Sequence, residues 1–440
     1  MTRHRDFKQL VRERMARTGE RYAAARAQLL SLRGAAPAAT ETYPGVFPGY
    51  DTFGGIQGNT GAVCNVLRHA GVRSPITGAP YTEAEVNGLC GGPGFLYAVF
   101  EYKGWPPMLT LALQGRSMAD EYVALGLSRL GVDLATSETT SPKAARKSLD
   151  AALSAKTAAL CTVDAASLSY YGLPAEFAGA GPHVVAVVGA DDTGVWIDDR
   201  GARPRHLSFE ELATARARYR QGRHRLVTVN GSRPRHDAAA AMREAIADTA
   251  RTYTKPAVPK SFWVNCGFSG LDKWRQMLVD RKDKKGWPTL FAEGPRAYAG
   301  LQRAYECIES GIAPGAGRAL YADFLDEAAS ALKVKALGQA AAAHRESASH
   351  WTNIASLIAD CGDRAIRDAC EIAHRRLEIG DQAAAGESKE AVELWTRRRN
   401  LGEECRVTAD AALALYGKIA EVVGHVAETE RHGVALMAAP

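Results

Sequence analysis

The sequence predicts an α+β domain followed by an all-helical domain. Between residues 43 and 232, short apolar runs typical of buried strands alternate with amphipathic helices. From residue 237 to 436, alanine-rich amphipathic segments follow one another with proline and glycine between them, and no convincing strand is found. The chain has 440 residues, which is more than one ordinary core encloses, so we expect two domains.

Composition places the chain among globular proteins, with 46% hydrophobic and 24% charged residues. It contains no apolar run of about eighteen residues and no apolar signal peptide, so we expect no membrane span and a cytoplasmic location. The 8 cysteines are scattered without a CxxC pair, a pattern that favours buried thiols over disulfides or zinc. We expect no metal and no other cofactor.

Residues 1–33 are strongly basic, with nine Lys and Arg against three Asp and Glu. Their rough apolar stripe predicts one amphipathic helix, followed by a linker at residues 34–42 that is rich in Ala, Pro and Thr. Such a helix could anchor an acidic partner, or simply pack its apolar side on the protein and leave its charges in water. Because no nucleic-acid-binding motif is present, we expect no nucleic-acid partner.

Within the α+β domain, the sequence predicts a helix over residues 58–71 and buried strands at 157–163 and 183–188. A turn of the type Asp-Asp-Thr-Gly at 191–194 predicts a hairpin into a strand at 195–197. A last strand at 224–229 closes the domain.

Two of these strands carry a base and a carboxylate in the order of a Cys-His-Asp constellation. His183 opens one strand, and Asp198 and Asp199 end the next. Adjacent strand residues point to opposite faces, so only one of the two aspartates can meet His183. The expected nucleophile would lie at a helix start, where backbone N–H groups favour a thiolate, but the predicted helix starts with Gly58.

Several segments together carry a family resemblance. They are the helix end Asn65-Val66-Leu67-Arg68-His69-Ala70-Gly71, the stretch 82–97 with its Gly-rich loop 88–94, and the His183 and Asp199 strands in the same order. Residues 58–230 thereby resemble the N-terminal domain of the butirosin-biosynthesis acyltransferase family, which is similar to papain-like and bacteriocin-processing cysteine peptidases. Residues 237–340 resemble the uncharacterised helical domain that often accompanies it.

The resemblance implies a papain-like fold and acyl transfer in specialised metabolism, such as antibiotic biosynthesis. The family prototype moves an aminoacyl group from an acyl-carrier-protein thioester to an amine, through a thioester on the enzyme. The resemblance also favours Asp199 as the partner of His183. Counting back from Gly71 places the family's nucleophile at position 58, where this chain has glycine.

Three explanations for Gly58 are open. The nucleophile could have moved to Cys90 in the Gly-rich loop. Alternatively, His183 with Asp199 could catalyse aminolysis of a thioester without a covalent intermediate, since orientation and general base catalysis are each effective. Finally, the protein could be a degenerate enzyme that binds a substrate or scaffolds a pathway. A hydrolase or cyclase on the same scaffold is a further alternative.

We expect acyl or aminoacyl transfer that forms an amide bond. The expected partners are a small-molecule or carrier-protein-bound acyl substrate, an acyl carrier protein and a second copy of the chain. The residues expected to contact substrate surround the helix start, the Gly-rich loop and the segment before His183: Gln57, Gly58, Asn59, Thr60, Gly91, Gly92, Tyr97 and Tyr171.

Overall fold

The computed structural model describes residues 43–52, 55–101, 106–116, 118–179, 181–199, 203–233, 235–311, 313–382 and 387–438, together with Ala25. Apart from Ala25, the predicted basic helix at 1–33 and the linker at 34–42 lie outside the described residues. The described residues form an α+β part followed by a helical part, which confirms the predicted fold class.

The strands are β1 Pro93–Phe100, β2 Met108–Gln114, β3 Val132–Ser137, β4 Ala159–Asp164, β5 Pro182–Ala190, β6 Gly194–Asp198, β7 Arg205–Ser208 and β8 Leu226–Ser232. The first helices are α1 Gly58–His69, α2 Glu83–Leu89, α3 Ala119–Arg129, α4 Pro142–Ser154 and α5 Phe209–Arg218. The later helices are α6 Ala238–Thr252, α7 Gly267–Val279, α8 Trp287–Leu290, α9 Gly294–Glu309, α10 Arg318–Leu332, α11 Lys335–Ala359, α12 Arg364–Gln382, α13 Glu387–Glu404 and α14 Ala409–Met437.

The described residues divide into two compact units that do not coincide with the predicted domains. The first unit consists of Met1–Cys90, Met118–Met242 and Arg376–Trp395. The second consists of Gly91–Ser117, Arg243–Arg375 and Thr396–Pro440. Each unit contains a segment that the prediction assigns to the other domain, and the predicted boundaries at 43–232 and 237–436 stay a prediction.

The first unit is built on a six-stranded antiparallel sheet with the strand order β3-β8-β4-β5-β6-β7. The predicted strands correspond to β4, β5, β6 and β8, and the predicted turn joins β5 to β6 through a hydrogen bond from Asp191 N to Gly194 O of 3.0 Å. Alternating side chains such as Cys161, Val185 and Ile197 are fully buried in its core. The edge strands β3 and β7 are short and partly polar, so they lack the apolar run that would predict them.

Segment 376–395 belongs to the first unit because it packs there. A methyl group added to Gly172, whose φ is +57°, would lie 2.6 Å from the backbone of Ala391. Farther along α13, the Trp395 ring lies 5.8 Å from that of Phe177. Sequence periodicity identified these residues as helical but carries no signal for which core they join.

The second unit contains the β1–β2 hairpin together with helices. Phe95 on β1 packs its ring 5.9 Å from both Trp274 on α7 and Trp351 on α11. Beyond residue 237 the described residues contain no strand, as predicted, and the alanine-rich segments are helices. The last helix begins at Ala409, with the Thr408 hydroxyl accepting a hydrogen bond from Ala411 N.

A buried ion pair links the hairpin of the second unit to its helices. Arg318 and Glu430 have fully buried side chains, and Arg318 Nε donates to Glu430 Oε1 over 2.8 Å. The remaining Arg318 N–H groups donate to the Gly94 and Leu113 carbonyls of the hairpin at 2.8 and 2.9 Å. Glu430 also accepts from Trp351 Nε1 at 3.0 Å. Each charge therefore has several partners, which a buried ion pair requires.

None of the described helices combines the length and the hydropathy needed to cross a bilayer. All eight cysteines are free thiols, and seven of them are buried.

Removing the buried carboxylate is expected to destabilise the second unit strongly. Glu430→Gln leaves the Arg318 guanidinium buried without its counter-charge, and we expect a loss of about 3–5 kcal/mol in the free energy of unfolding. Denaturant unfolding followed by tryptophan fluorescence measures this loss, because Trp351 contacts the pair. Asp272→Asn, which breaks the exposed pair with Arg431, is the control, with an expected loss of at most about 1 kcal/mol. Similar losses for the two variants would contradict the assigned role.

Candidate active site

The candidate site is organised by two adjacent carboxylates at the end of β6. Asp198 is 1% exposed and Asp199 is 3% exposed, although carboxylates are rarely buried to this degree. As the strand geometry predicts, they bond to different groups: Asp199 to His183, and Asp198 to Tyr50 and Asn65. One carboxylate therefore orients the candidate base, and the other holds helix α1.

His183 and Asp199 form a close hydrogen-bonded pair. Nε2 of His183 lies 2.7 Å from Oδ1 of Asp199, and the His183 side chain is 16% exposed. His183 lies at the start of β5, opposite Val163 of β4. Antiparallel pairing of β5 with β6 brings the end of β6 back beside it, which is why the two residues meet.

Two tyrosines complete the hydrogen bonding of Asp199. The Tyr170 hydroxyl donates to Oδ2 in a very short hydrogen bond, and the Tyr171 hydroxyl donates to the same oxygen over 3.0 Å. Tyr171 also stands edge-on to the His183 ring, with the ring centroids 5.6 Å apart. The Arg205 guanidinium lies 4.3 Å from the centre of the Tyr170 ring. The predicted residue Tyr171 is thus beside His183, and Tyr170 and Arg205 are additional members.

The charge state of Asp199 fixes the tautomer of His183. Burial alone raises the pKa of Asp199, but the charge and hydrogen bond of His183, the hydrogen bond of Tyr170 and the charge of Arg205 lower it to about 2. At neutral pH the carboxylate is ionised and can only accept hydrogen bonds. The proton between the two residues therefore belongs to His183 Nε2. Nδ1 has no hydrogen-bond partner among the described residues, so in the neutral imidazole it carries the lone pair and can act as a base.

Asp198 fixes α1 against the sheet. Its Oδ2 accepts a hydrogen bond of 2.8 Å from Asn65 Nδ2 on α1 and another of 2.8 Å from the Tyr50 hydroxyl. Its Oδ1 is buried without a hydrogen-bond partner among the described residues. Burial raises the pKa of Asp198 to about 6, with the charge of Asp199 acting in the same direction and the two hydrogen bonds opposing it.

Helix α1 begins at Gly58, the residue at which the sequence predicts the missing nucleophile. A carboxylate already lies at this end of the helix. Glu83 accepts hydrogen bonds from Ile56 N at 2.8 Å, from Gln57 N at 2.7 Å and from the Thr60 hydroxyl at 2.9 Å. The positive end of the helix dipole therefore has a resident anion.

The four predicted substrate contacts at this helix start differ in what they can offer. The Gln57 amide is buried and accepts a hydrogen bond from Asn87 Nδ2 at 2.6 Å, and Thr60 is fully buried. Both side chains have structural partners. Gly58 is buried, and Asn59 is half-buried with an Oδ1 that lacks a hydrogen-bond partner among the described residues. Asn59 is thus the one of the four with an unused acceptor.

The structure argues against Cys90 as a relocated nucleophile. Cys90 is 1% exposed, and its Sγ packs so closely on Gly126 of α3 that even a methyl group there would collide with it. Burial raises the pKa of the Cys90 thiol to about 12, although the Arg129 charge and a backbone hydrogen bond from Gly126 oppose the shift. A buried thiol with a raised pKa lacks the thiolate character and the exposure of a reactive cysteine.

The other predicted loop contacts also have structural positions. Gly91 and Gly92 have positive φ angles of 108° and 51°, and the Tyr321 ring occupies the space that a side chain on Gly92 would need. Tyr97 is 3% exposed and its hydroxyl accepts from Trp287 Nε1 at 3.3 Å. These three residues belong to the second unit, and their role as substrate contacts stays a prediction. The Gly-rich pattern reflects close packing there.

Sequence reasoning missed Glu83, Asn65, Tyr50 and Arg205. Glu83 and Asn65 stand in the motifs that carry the family resemblance, but nothing in their spacing shows what they bond. No group of three or more His, Cys, Asp or Glu side chains in the described part of the chain is arranged to hold a metal ion.

Family comparisons agree with the order of these motifs. The model for butirosin biosynthesis protein H, N-terminal, matches residues 57–200. Residues 57–200 therefore belong to the family of this N-terminal domain. A model for a domain of unknown function (DUF4872) matches residues 210–391. No curated protein matches the chain. The first of these ranges includes Gly58, His183 and Asp199, and the two models confirm the predicted resemblance.

Asp198 is expected to make stability depend on pH. Its folded-state pKa of about 6 lies above the unfolded value of about 3.9, so the folded state favours the protonated carboxyl. Protonation therefore stabilises the fold at low pH, and this contribution to the free energy of unfolding is lost as the pH rises from 4 through 6. Asp198→Asn removes the titration. We expect the free energy of unfolding of the variant, relative to wild type, to rise by about 2 kcal/mol between pH 4 and pH 7.

Urea unfolding at pH 4, 5, 6 and 7 measures this change. Asp133→Asn, at an exposed position on β3, is the matched carboxylate-to-amide control. A pH-independent difference between Asp198→Asn and wild type would contradict the assignment.

Proposed function

We propose that the chain transfers an acyl or aminoacyl group from a thioester donor to an amine without forming a thioester on the enzyme. The match of residues 57–200 to the N-terminal domain of butirosin biosynthesis protein H supports a biosynthetic, acyltransferase-like role. The pair of His183 and Asp199 is the observation that supports acyl transfer by general base catalysis. The carboxylate binds His183 Nε2, and Nδ1 is left available. A buried carboxylate that orients a partly exposed imidazole is the arrangement of a general base.

The reaction needs no protein nucleophile, because a thioester is already an activated acyl donor. His183 Nδ1 accepts a proton from the amine as its nitrogen attacks the thioester carbonyl and forms the C–N bond. The tetrahedral intermediate collapses, the C–S bond breaks, and the imidazolium returns its proton to the departing thiolate. The products are an amide and a free thiol, and the enzyme is unchanged.

Two groups support this chemistry. The ionised Asp199 stabilises the imidazolium that forms during proton transfer, and the hydroxyls of Tyr170 and Tyr171 hold the carboxylate in place. At the start of α1 the backbone N–H groups of Gly58 and Asn59 have no intrahelical acceptor, as in the first turn of any helix. We assign them, with Asn59 Oδ1, to orientation of the substrate.

The non-covalent route fits the resident anion at α1. In a covalent mechanism the helix start must stabilise a thiolate, but here the carboxylate of Glu83 already accepts the hydrogen bonds of Ile56 and Gln57. A second negative charge beside it would be repelled. Glycine at position 58 adds no negative charge beside the Glu83 carboxylate. Because Cys90 is buried, it is a poor candidate for a replacement nucleophile.

The second candidate is a binding protein with a degenerate site, which Gly58 favours. Turnover distinguishes the two candidates. A binding protein retains ligand affinity but shows no amide formation, whereas the proposed enzyme forms amide in proportion to its concentration.

His183→Ala is expected to lower kcat for amide formation by about 10²–10⁴-fold, because it removes the general base. The measurement is liquid chromatography of the amide product with aminoacyl and simple acyl thioesters as donors. Cys90→Ala is the discriminating variant, and we expect it to retain turnover.

Loss of turnover in a folded Cys90→Ala protein would instead support the relocated nucleophile. If wild type and both variants all form amide only at the rate of the uncatalysed reaction, the acyl-transfer proposal is wrong.

Gly58→Cys combined with Glu83→Gln, which removes the anion that would repel a thiolate, tests whether position 58 belongs to the reacting site. We expect the introduced thiol to accept the acyl group and give a covalent adduct, detected by intact-protein mass spectrometry after brief exposure to the thioester. Wild type, with Cys64 and Cys90 buried, is the control and should show no adduct on either residue. If the introduced thiol stays unmodified while another cysteine is modified rapidly, the reacting site lies elsewhere.

A further inference from the structure

A loop rich in arginine leads into strand β8 of the sheet that carries His183. The arginine loop, Arg218–Arg225, has the sequence Arg-Tyr-Arg-Gln-Gly-Arg-His-Arg and joins α5 to β8. It lies in the same compact unit as the candidate site.

The strand register places this loop at the same end of the central strands as His183. Cys161 on β4 pairs with Leu226 of β8 on one side and with Val185 of β5 on the other. Two residues before Leu226 is His224, and two residues before Val185 is His183, so both lie toward the same end of the strands. Because they are separated by one intervening strand, their backbones are about 10 Å apart. The Arg218 carbonyl also lies 3.4 Å from where a side chain on Gly179 would begin, in the segment leading into β5.

The backbone of the arginine loop is held rigidly in a strained conformation. The carbonyl of Arg223 accepts from Thr139 N at 2.8 Å, and that of His224 accepts from Arg216 Nη2 at 2.7 Å. Arg225 N donates to Gly222 O at 2.7 Å. Arg223 and His224 both have positive φ angles, 45° and 49°, which is unfavourable for residues with a side chain. Such strain persists where the surroundings enforce it, and it concentrates at functional sites.

The charges of the loop are only partly neutralised. Arg225 pairs with Glu138 at 2.6 Å and with Asp120 at 3.8 Å, and Glu121 and Asp120 are the acidic groups near Tyr219. The other three arginines, Arg218, Arg220 and Arg223, are exposed and form no ion pair within the described part of the chain. Guanidinium groups on a rigid loop are well suited to phosphate, which they bind through paired hydrogen bonds.

We propose that Arg218, Arg220 and Arg223 bind the phosphate of a phosphate-bearing thioester donor. The assignment of the ligand as a donor rests on the proposed acyl transfer at His183. The backbone of His224 in the loop lies about 10 Å from that of His183, so a phosphate bound by the loop leaves room for a flexible arm that carries the thioester. Coenzyme A and the phosphopantetheine arm of a carrier protein share this chemistry, so both are sources to be compared.

The experiment measures transfer of the same acyl group from three thioester donors. These are a coenzyme A thioester, the same acyl group on a holo-carrier protein, and its N-acetylcysteamine thioester, which has no phosphate. The variant combines Arg218→Ala, Arg220→Ala and Arg223→Gly, where glycine suits the positive φ and preserves the loop. We expect kcat/KM for a phosphate-bearing donor, divided by that for the N-acetylcysteamine thioester, to fall at least tenfold.

The donor with the larger fall identifies the source of the phosphate. An equal effect of the variant on all three donors would overturn the proposal. The matched control is Lys143→Ala with Lys147→Ala, which removes exposed cations from α4 in the same unit and should leave the ratio within twofold.

A binding measurement separates this proposal from the proposed function. Calorimetric titration with coenzyme A, and with apo- and holo-carrier protein, requires no turnover. We expect the loop variant to weaken the binding of coenzyme A, or of holo-carrier more than apo-carrier, at least tenfold. Equal weakening for apo- and holo-carrier, without an effect on coenzyme A, would show recognition of the carrier surface and overturn the phosphate assignment. If wild type turns over none of the donors, acyl transfer fails, and the titration still decides whether the loop binds phosphate.

Discussion

Burial of two adjacent carboxylates at the end of β6 is the constraint on which the candidate site depends. A buried carboxylate is tolerated only where several donors surround it, so each aspartate determines what its neighbours must be. Asp199 requires the imidazole of His183 and the hydroxyls of Tyr170 and Tyr171. Asp198 requires the amide of Asn65, which belongs to α1. The base and the helix that begins with Gly58 are thereby tied to the same short stretch of strand.

The pKa values of these two adjacent carboxylates shift in opposite directions. Both are buried, which disfavours their ionised forms. Asp199 faces His183 and Arg205, so its charged form is stabilised and its pKa falls to about 2. Asp198 receives only neutral donors, so burial prevails and its pKa rises to about 6. The cationic partner, rather than burial, decides which aspartate can support an imidazolium.

The sequence was most informative where patterns are local. The apolar runs that became β4, β5 and β6, the hairpin turn at Asp191–Gly194 and the start of α1 at Gly58 follow from periodicity and turn chemistry, and alternation along β6 separated Asp198 from Asp199. Contacts between distant segments could not be predicted in this way. Glu83 reaches the start of α1 across 26 residues, and Tyr50 reaches Asp198 across 148. The Gly-rich loop shows the same limit, since glycine permits close approach by a side chain such as Tyr321 as readily as by a substrate.

The interleaving of the two compact units has a consequence for how the chain is made. The first unit contains segment Arg376–Trp395, so its native contacts cannot be complete until almost nine tenths of the 440 residues have been synthesised. The six-stranded sheet emerges from the ribosome much earlier, by Ser232. During this interval the surface around Gly172 and Phe177 lacks its native cover of Ala391 and Trp395. A truncation at the apparent end of the α+β region would make that incomplete state permanent, and such a fragment is prone to aggregate.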